Sequence, residues 1–159
     1  MSIRIIRTGN DPVLRQVAKP VPVINKGIEK LLDDMAETMY HADGVGLAAV
    51  QIGVMKRIAV VDVGEGLVEL VNPNIIEKEG IQTGTEGCLS LPGLRGDVTR
   101  AQRIKVRATN RQGDSVEYVA MDLFARAIQH EIDHLDGILF IDYLQPSEII
   151  HEQEQEFRS

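Results

Sequence analysis

Apolar residues recur at helical spacing between positions 24 and 44, in the stretch INKGIEKLLDDMAETMYHADG. Residues three and four positions apart fall on one face of an α-helix, and charged residues fill the positions between them. The pattern predicts an amphipathic helix that ends near Gly44, with its methionines in the core. Residues 10–21 predict a short helix before it, because Asn10 or Asp11 can cap it and Pro12 suits its first turn.

The middle of the chain carries the patterns of β-strands. RIAVVDV predicts a mostly buried strand, and LVELVNPNII predicts another that is interrupted by a turn at Asn72-Pro73-Asn74. RIKVRATN alternates apolar and charged residues, which is typical of a half-buried strand. NRQGDSVEYVAM then predicts a hairpin turn around Gly113-Asp114 followed by one more strand.

The period becomes helical again from Asp122, which we expect to be the N-cap of a helix that Gly137 ends. The order of helix, strands and long helix predicts an α+β fold, in which the last helix packs on antiparallel or mixed sheets. Residues 146–159 predict a helical or flexible acidic tail, with Ser147 as a cap. We expect residues 1–159 to form a single domain, since no repeat or linker divides them.

The composition of the chain, 43% hydrophobic and 26% charged, is that of an ordinary soluble globular protein. No apolar run approaches the roughly 20 residues that a membrane span needs. The N-terminal MSIRIIRTGNDP lacks the continuous apolar segment of a signal peptide, so we expect the protein in the cytoplasm.

The formal net charge of −7 disfavours a protein that mainly binds nucleic-acid backbones. A local basic patch is conceivable between positions 95 and 111, where arginines and a lysine cluster, but solvent-facing strand positions explain them more simply. The one cysteine, Cys88, cannot form an internal disulfide. It is a buried apolar residue, a reactive thiol or a metal ligand.

The stretch AIQHEIDHLDG places His130 and His134 four residues apart on the last predicted helix. Such residues are only about 40° out of phase and roughly 6 Å apart along the axis, so both imidazoles can bind one cation. Glu131 points about 100° away and is better placed to reach a water beside the metal. A purely structural origin of the pattern is the alternative. His41 and His151 lack comparable partners, and we expect both on the surface.

Two imidazoles leave a third ligand to be found. A zinc protease would supply it after the helix, where only Asp142, Glu148 and His151 occur and none lies in a recognisable motif. Cys88 lies in TEGCLSLPG, which we interpret as a glycine-rich loop, an unusual place for a core cysteine. One sulfur and two nitrogens leave a fourth position open, as a catalytic site requires. We therefore infer that Cys88 is the third ligand.

A second glycine-rich stretch, HADGVGLAAVQIG, does not fit a nucleotide-binding loop. Ala49 occupies the third glycine position, and a helix rather than a strand comes before it. The glycines at 44 and 46 are better explained by close approach of the backbone to a ligand. Gln51 offers an amide donor for an oxyanion.

Together, GVGLAAVQ (44–51), EGCLS (86–90) and HEIDH (130–134) resemble the three motifs of the peptide deformylase family, in the family's order. DPVLRQVAKPV and GILFIDYL are also similar to that family, so the resemblance covers nearly the whole chain. It implies an α+β fold with mixed or antiparallel sheets around a central metal-binding helix. It also implies a metal-dependent hydrolase that removes the formyl group from the formyl-methionine of new polypeptides and releases formate.

The resemblance also implies the roles of individual residues. Cys88, His130 and His134 would bind one divalent ion, most commonly Fe(II), with zinc, nickel or cobalt as substitutes. Glu131 would be the acid–base residue, while the Gln51 amide and the Leu89 backbone N–H would polarise the carbonyl. The substrate-binding residues implied or nominated are Val45, Gly46, Glu86, Gly87, Arg95, Leu123 and Ala127. Val45, Leu123 and Ala127 would form the apolar pocket for the methionine.

The implied partners are formyl-Met N-termini of nascent peptides, together with a transient contact with the ribosome. The acidic tail gives no electrostatic reason for strong anchoring there. Arg126 departs from the pattern, being charged where some relatives carry an apolar residue near the pocket. Two other functions fit parts of the pattern: a zinc endopeptidase that does not depend on Cys88, and a non-catalytic module with a closed metal site.

Overall fold

The computed structural model of the chain describes residues 2–152. Two α-helices, α1 (Lys26–His41) and α2 (Asp122–Leu135), are combined with two antiparallel sheets. The strands are β1 (Gly46–Ala48), β2 (Ile58–Val61), β3 (Val68–Glu79), β4 (Gln82–Cys88), β5 (Leu91–Arg100), β6 (Arg103–Thr109), β7 (Ser115–Met121) and β8 (Ile150–His151). Residues 2–152 contain no helix long and apolar enough to cross a membrane.

The larger sheet has the strand order β1-β2-β3-β6-β7 and is covered by a helix on each face. Ile58, Val60 and Val71 pack with the apolar stripe of α1, while Val61 and Leu70 pack with α2. All four residues of β2 are buried for this reason, since neighbouring side chains on a strand point to opposite faces. The continuous apolar run at residues 58–61 is therefore what a strand covered on both sides needs.

Helix α2 occupies the centre of the molecule. Every residue from 125 to 132 is buried, although an ordinary surface helix buries only one stripe. One face packs on the larger sheet, and another meets the smaller sheet of order β4-β5-β8. The predicted α+β fold, with sheets packed around a central helix, is confirmed. This position brings polar residues of α2 against the end of β4.

The turn predicted at Asn72-Pro73-Asn74 is wrong, because β3 runs through these residues with shifts in its register against β6. Asn72 has a positive φ of 53°, and its side chain bonds the backbone of Val21 in both directions, at 2.7 and 2.8 Å. These two bonds stabilise the irregular backbone at this point of the strand, so the chain bends without leaving the sheet.

Other boundaries also differ from the predictions. The helix expected in residues 10–21 is only a 3-10 turn at Pro12–Arg15, capped by Asp11. Cys88 lies at the end of β4 rather than in a loop. Asp122 is the first residue of α2, after the N-cap Met121. In the expected helical tail, residues 146–148 form a 3-10 turn and β8 pairs with β5, while residues 153–159 lie outside the described part of the chain.

Candidate metal centre

Cys88, His130 and His134 come together although 42 residues separate the cysteine from the first histidine. One ligand atom from each lies within 4.8 Å of the others, and the Cys88 Sγ is 3.2 Å from the His134 Nε2. The backbone N–H of Ser90 and the Gln51 amide lie 3.4 and 3.6 Å from the same sulfur, as donors that complement a negatively charged ligand. The three residues therefore fit a single transition-metal ion.

Within residues 2–152, the acidic and histidine residues that follow α2 do not join this group. Asp142 pairs with Arg15 at 2.6 Å, and Glu148 accepts from the Gln145 backbone N–H at 2.7 Å. His151 is exposed on β8, as predicted from sequence. The described part of the chain therefore does not form a zinc-protease arrangement with a ligand downstream of the helix.

Glu86 orients the first histidine. Its buried carboxylate accepts from Nδ1 of His130 at 2.8 Å, from Arg100 at 2.5 and 2.9 Å, and from Arg126 at 2.5 Å. Burial alone would raise the pKa of Glu86, but the bonds from Arg100 and His130 lower it to about 2. An ionised carboxylate can only accept, so Nδ1 carries the proton and the lone pair of Nε2 is free for a metal.

Glu131 lies beside the ligands on α2, with only 4% of its surface exposed. Burial raises the pKa of its carboxyl to about 7, and nearby positive charges offset this only in part. Its Oε1 has no hydrogen-bond partner within residues 2–152. A carboxyl with a pKa near neutrality and a free oxygen can both take up and release a proton.

Gly46 leaves the room that Glu131 needs. A Cβ at position 46 would overlap the Oε2, Cδ and Cγ atoms of Glu131. The glycine therefore makes room for the carboxylate of Glu131. Gly44, in the same motif, makes room for Leu89, because a Cβ at position 44 would overlap the Leu89 side chain.

The amide of Gln51 has a fixed orientation. Its Oε1 accepts from the backbone N–H of Ala48 at 2.9 Å, so its Nε2 faces Ser90 Oγ at 3.0 Å and the sulfur of Cys88. Gln51 is 1% exposed, in a 3-10 turn that directly follows β1. Leu89 lies in the two-residue connection between β4 and β5 and lines the same cleft as Gln51. Gln51 and Leu89 therefore both lie on the side of the centre where Cys88 is.

A cleft of about 440 Å³ opens onto the centre. Among the residues predicted from sequence, those that line it are Val45, Gly46, Gln51, Glu86, Gly87, Cys88, Leu89, Arg95, Leu123, Ala127, His130 and Glu131. His134 lies behind the cleft and is 1% exposed. Val45 and Leu123 are about half exposed at the opening, and Ala127 is buried between them and the centre, which suits an apolar side chain.

The expectation that Glu86 binds substrate is at odds with its contacts. Both carboxylate oxygens are occupied by protein donors, so Glu86 acts on His130 instead. Arg126, which looked like a charged pocket residue, is 6% exposed and also donates to the Val98 carbonyl at 2.9 Å. The sequence held one indication that Arg126 is buried near His130. The two residues are four positions apart on the same helix, and residues i and i+4 share a face.

Arg100 is a further residue that sequence reasoning misplaced. The arginines between positions 95 and 111, Arg100 among them, are interpreted from sequence as solvent-facing strand residues, but Arg100 is 7% exposed and connects Glu86 with Asp133 at 2.9 Å. Asp133 also accepts from the hydroxyl of Tyr143 at 2.8 Å. Arginines paired with buried carboxylates are common, but no sequence pattern distinguishes them from exposed ones on an alternating strand.

The comparisons with known proteins agree with this geometry. A family model described as polypeptide deformylase matches residues 3–149. The peptide deformylase of Caldanaerobacter subterraneus subsp. tengcongensis is 59% identical over 142 residues, 89% of each chain. The structure of the Thermotoga maritima peptide deformylase matches with a TM-score of 0.89 at 45% identity, covering 92% of this chain and 100% of the other. The Ehrlichia chaffeensis peptide deformylase in complex with actinonin matches at 0.90 and 38%, covering 99% and 94%.

A central helix with two histidines, a cysteine brought from a strand and a buried carboxylate define a metal-dependent hydrolase. The chain belongs to the polypeptide deformylase family. Its activity is that of the family, the removal of the N-terminal formyl group from formyl-methionine polypeptides with release of formate.

Proposed function

We propose that this chain performs deformylation with Cys88, His130 and His134 as metal ligands and Glu131 as the acid–base residue. The observation that carries the proposal is the free, buried carboxylate oxygen of Glu131 next to three convergent ligand atoms. A divalent cation bound there would supply an acidified water and polarise the formyl oxygen. Fe(II) is the metal we propose, with zinc, nickel or cobalt as substitutes.

The remaining chemistry belongs to side chains and backbone of this chain. Glu131 accepts the proton of the attacking water, whose oxygen forms a bond to the formyl carbon. Negative charge then develops on the formyl oxygen, where the amide of Gln51 and the N–H of Leu89 donate hydrogen bonds. When the carbon–nitrogen bond breaks, Glu131 passes its proton to the amine, and formate leaves with the second oxygen.

The substrate is bound along the cleft. We propose that its first side chain, methionine, lies among Val45, which directly precedes β1, and Leu123 and Ala127 of α2, all of them apolar residues that line the cleft. Its backbone extends past Gly46 in β1 and Gly87 in β4, two strands at the edges of their sheets, where strand-like hydrogen bonding is possible. Residues further along the peptide then reach the rim at Arg95.

The cellular location and the partners of the protein can be inferred from its substrate. We propose that the chain acts as one catalytic domain in the cytoplasm on nascent peptides, with a transient contact to the ribosome. The net charge of −7 argues against tight binding to ribosomal RNA, so the nascent N-terminus itself provides most of the recognition.

The test is formate release from formyl-Met-Ala-Ser, compared between wild type and Glu131→Ala after anaerobic loading with iron or zinc. We expect the variant to retain one metal per chain and to lose activity by about 100-fold or more. Glu65→Ala, in an exposed turn, is the matched control and should behave as wild type. Full activity of Glu131→Ala would overturn the mechanism, and a faster zinc form would overturn the choice of iron.

A further inference from the structure

The C-terminal segment places the carboxylate of Glu152 on Arg95, a partly exposed arginine that lines the cleft. Strand β8 pairs with β5, through Ile150 with Arg95, and the Glu152 N–H donates to the Gly93 carbonyl at 2.8 Å. Both carboxylate oxygens of Glu152 lie 3.1 Å from the Arg95 Nε. Arg95 and Glu152 both line the cleft.

Arg95 is well placed to meet the substrate. Its guanidinium lies directly over Gly87, so closely that a Cβ at position 87 would overlap it. Gly87 immediately precedes Cys88 in β4, whereas Leu123 and Ala127, proposed to hold the first side chain, belong to α2. The guanidinium therefore borders the path of the residues that follow formyl-methionine, a conclusion that depends on the proposed function of the cleft.

The charged side chains at this rim differ in how accessible they are to a substrate. Arg126, the other arginine of the cleft, is committed to the buried Glu86. Arg95 and Glu152 are 49% and 39% exposed at their side chains, so a substrate side chain can reach either group. Asp43 also lines the cleft and adds a second negative charge. The segment from 150 to 152 lies beyond residues 3–149, which the family model matches.

We propose that Glu152 is a specificity-determining residue, which masks Arg95 and thereby lowers the enzyme's preference for acidic residues after formyl-methionine. With Glu152 in place, an acidic side chain must compete for a guanidinium that already has a carboxylate. A basic side chain of the substrate is attracted by the same carboxylate, so its binding is favoured. Because the groups are exposed, the effect is moderate and falls as salt screens it.

The experiment measures kcat/KM for peptide amides of the form formyl-Met-Xaa-Ala and formyl-Met-Ala-Xaa, with Asp, Ser or Lys as Xaa. In Glu152→Gln the Asp-to-Lys ratio of kcat/KM should rise about fivefold at low salt, mainly through KM, and by less than about twofold in 0.5 M salt. Arg95→Gln should move the ratio in the opposite direction. Glu65→Gln, with the same change in net charge at a remote exposed turn, should leave the ratio unchanged.

A change by the same factor for all three side chains, or no change, would overturn the proposal. Calorimetric binding of the deformylated peptides Met-Xaa-Ala-amide and Met-Ala-Xaa-amide gives a readout that needs no turnover, and the same order of affinities is expected. If wild type binds these peptides with a Glu152-dependent charge preference but releases no formate, the proposed reaction fails and the specificity assignment stands. Thermal melting of Glu152→Gln should match wild type, since β8 is held by backbone bonds.

Discussion

Nδ1 of His130 donates to Oε1 of Glu86 across 2.8 Å, between residues that are 44 positions apart in the chain. This bond connects the metal centre to a buried network, since the same carboxylate also accepts from Arg100 and Arg126. The imidazole is thereby held in one orientation, with the proton of Nδ1 directed at Glu86. Pre-orientation of this kind lowers the entropy that a ligand set loses on binding.

The first prediction concerns this bond. Glu86→Gln should lower metal affinity by about 10- to 100-fold, because the neutral amide no longer fixes the protonated Nδ1 of His130. It should also lower the free energy of unfolding by about 3–5 kcal/mol, since Arg100 and Arg126 lose a buried counter-charge. Chelator competition and urea unfolding measure the two effects. Wild-type metal affinity in this variant would show that Glu86 does not orient His130.

The second prediction concerns Gly46. Gly46→Ala should reduce kcat by about 100-fold while one metal per chain is retained, because the new methyl group displaces the carboxylate of Glu131. Gly27→Ala is the matched control, since it lies at an exposed position of α1 and a Cβ there is 3.3 Å from the Asn25 Oδ1. Unchanged formate release in Gly46→Ala would mean that Glu131 has another productive position.

The third prediction separates this centre from a zinc endopeptidase. Cys88→Ala should lower metal affinity by at least about 100-fold, because one of three ligands is lost and the two imidazoles remain alone. Metal analysis after dialysis measures it, with the nearby Ser90→Ala as the control that keeps the sulfur. Retained metal together with cleavage of internal peptide bonds would favour the endopeptidase.

The fourth prediction is a pH dependence of stability. Asp34 is fully buried and accepts from Arg4 at 2.7 and 3.0 Å and from the Ser2 N–H at 2.7 Å. Burial raises the pKa of Asp34, but these bonds outweigh it and lower the pKa below the usual 3.8. A lowered pKa gives stability above the unfolded value, which is lost as the pH falls through the folded one.

Asp34→Asn should therefore cost about 1–3 kcal/mol of unfolding free energy at pH 7, and the difference from wild type should shrink as the pH approaches 3. Urea unfolding at both pH values tests this. Asp114→Asn, in the exposed turn between β6 and β7, is the control. Its free energy of unfolding should differ little from that of wild type at either pH. A cost for Asp34→Asn that is equal at both pH values would contradict the role of its ionised form.

Local pattern was sufficient to predict some of the elements and two of the three proposed metal ligands. The stripe from Ile28 to Met39 predicted α1, and the alternation in residues 103–109 predicted β6. The spacing of His130 and His134 on one helix is itself a geometric constraint, because a helix turn brings i and i+4 together. The predicted turn at Asn72-Pro73-Asn74 failed because the side chain of Asn72 satisfies a distant backbone, which no local rule describes.

The tertiary structure alone decided which distant groups meet. The amino-acid sequence determined a helix with two imidazoles, a lone thiol and a set of arginines with no evident task. Only the packing of β4 and β5 against α2 showed that Glu86 holds His130, that Arg100 and Arg126 are buried with it, and that Glu152 lies on Arg95. The physical reason is that periodicity records which face of an element is buried, while the partner across that face depends on the whole fold.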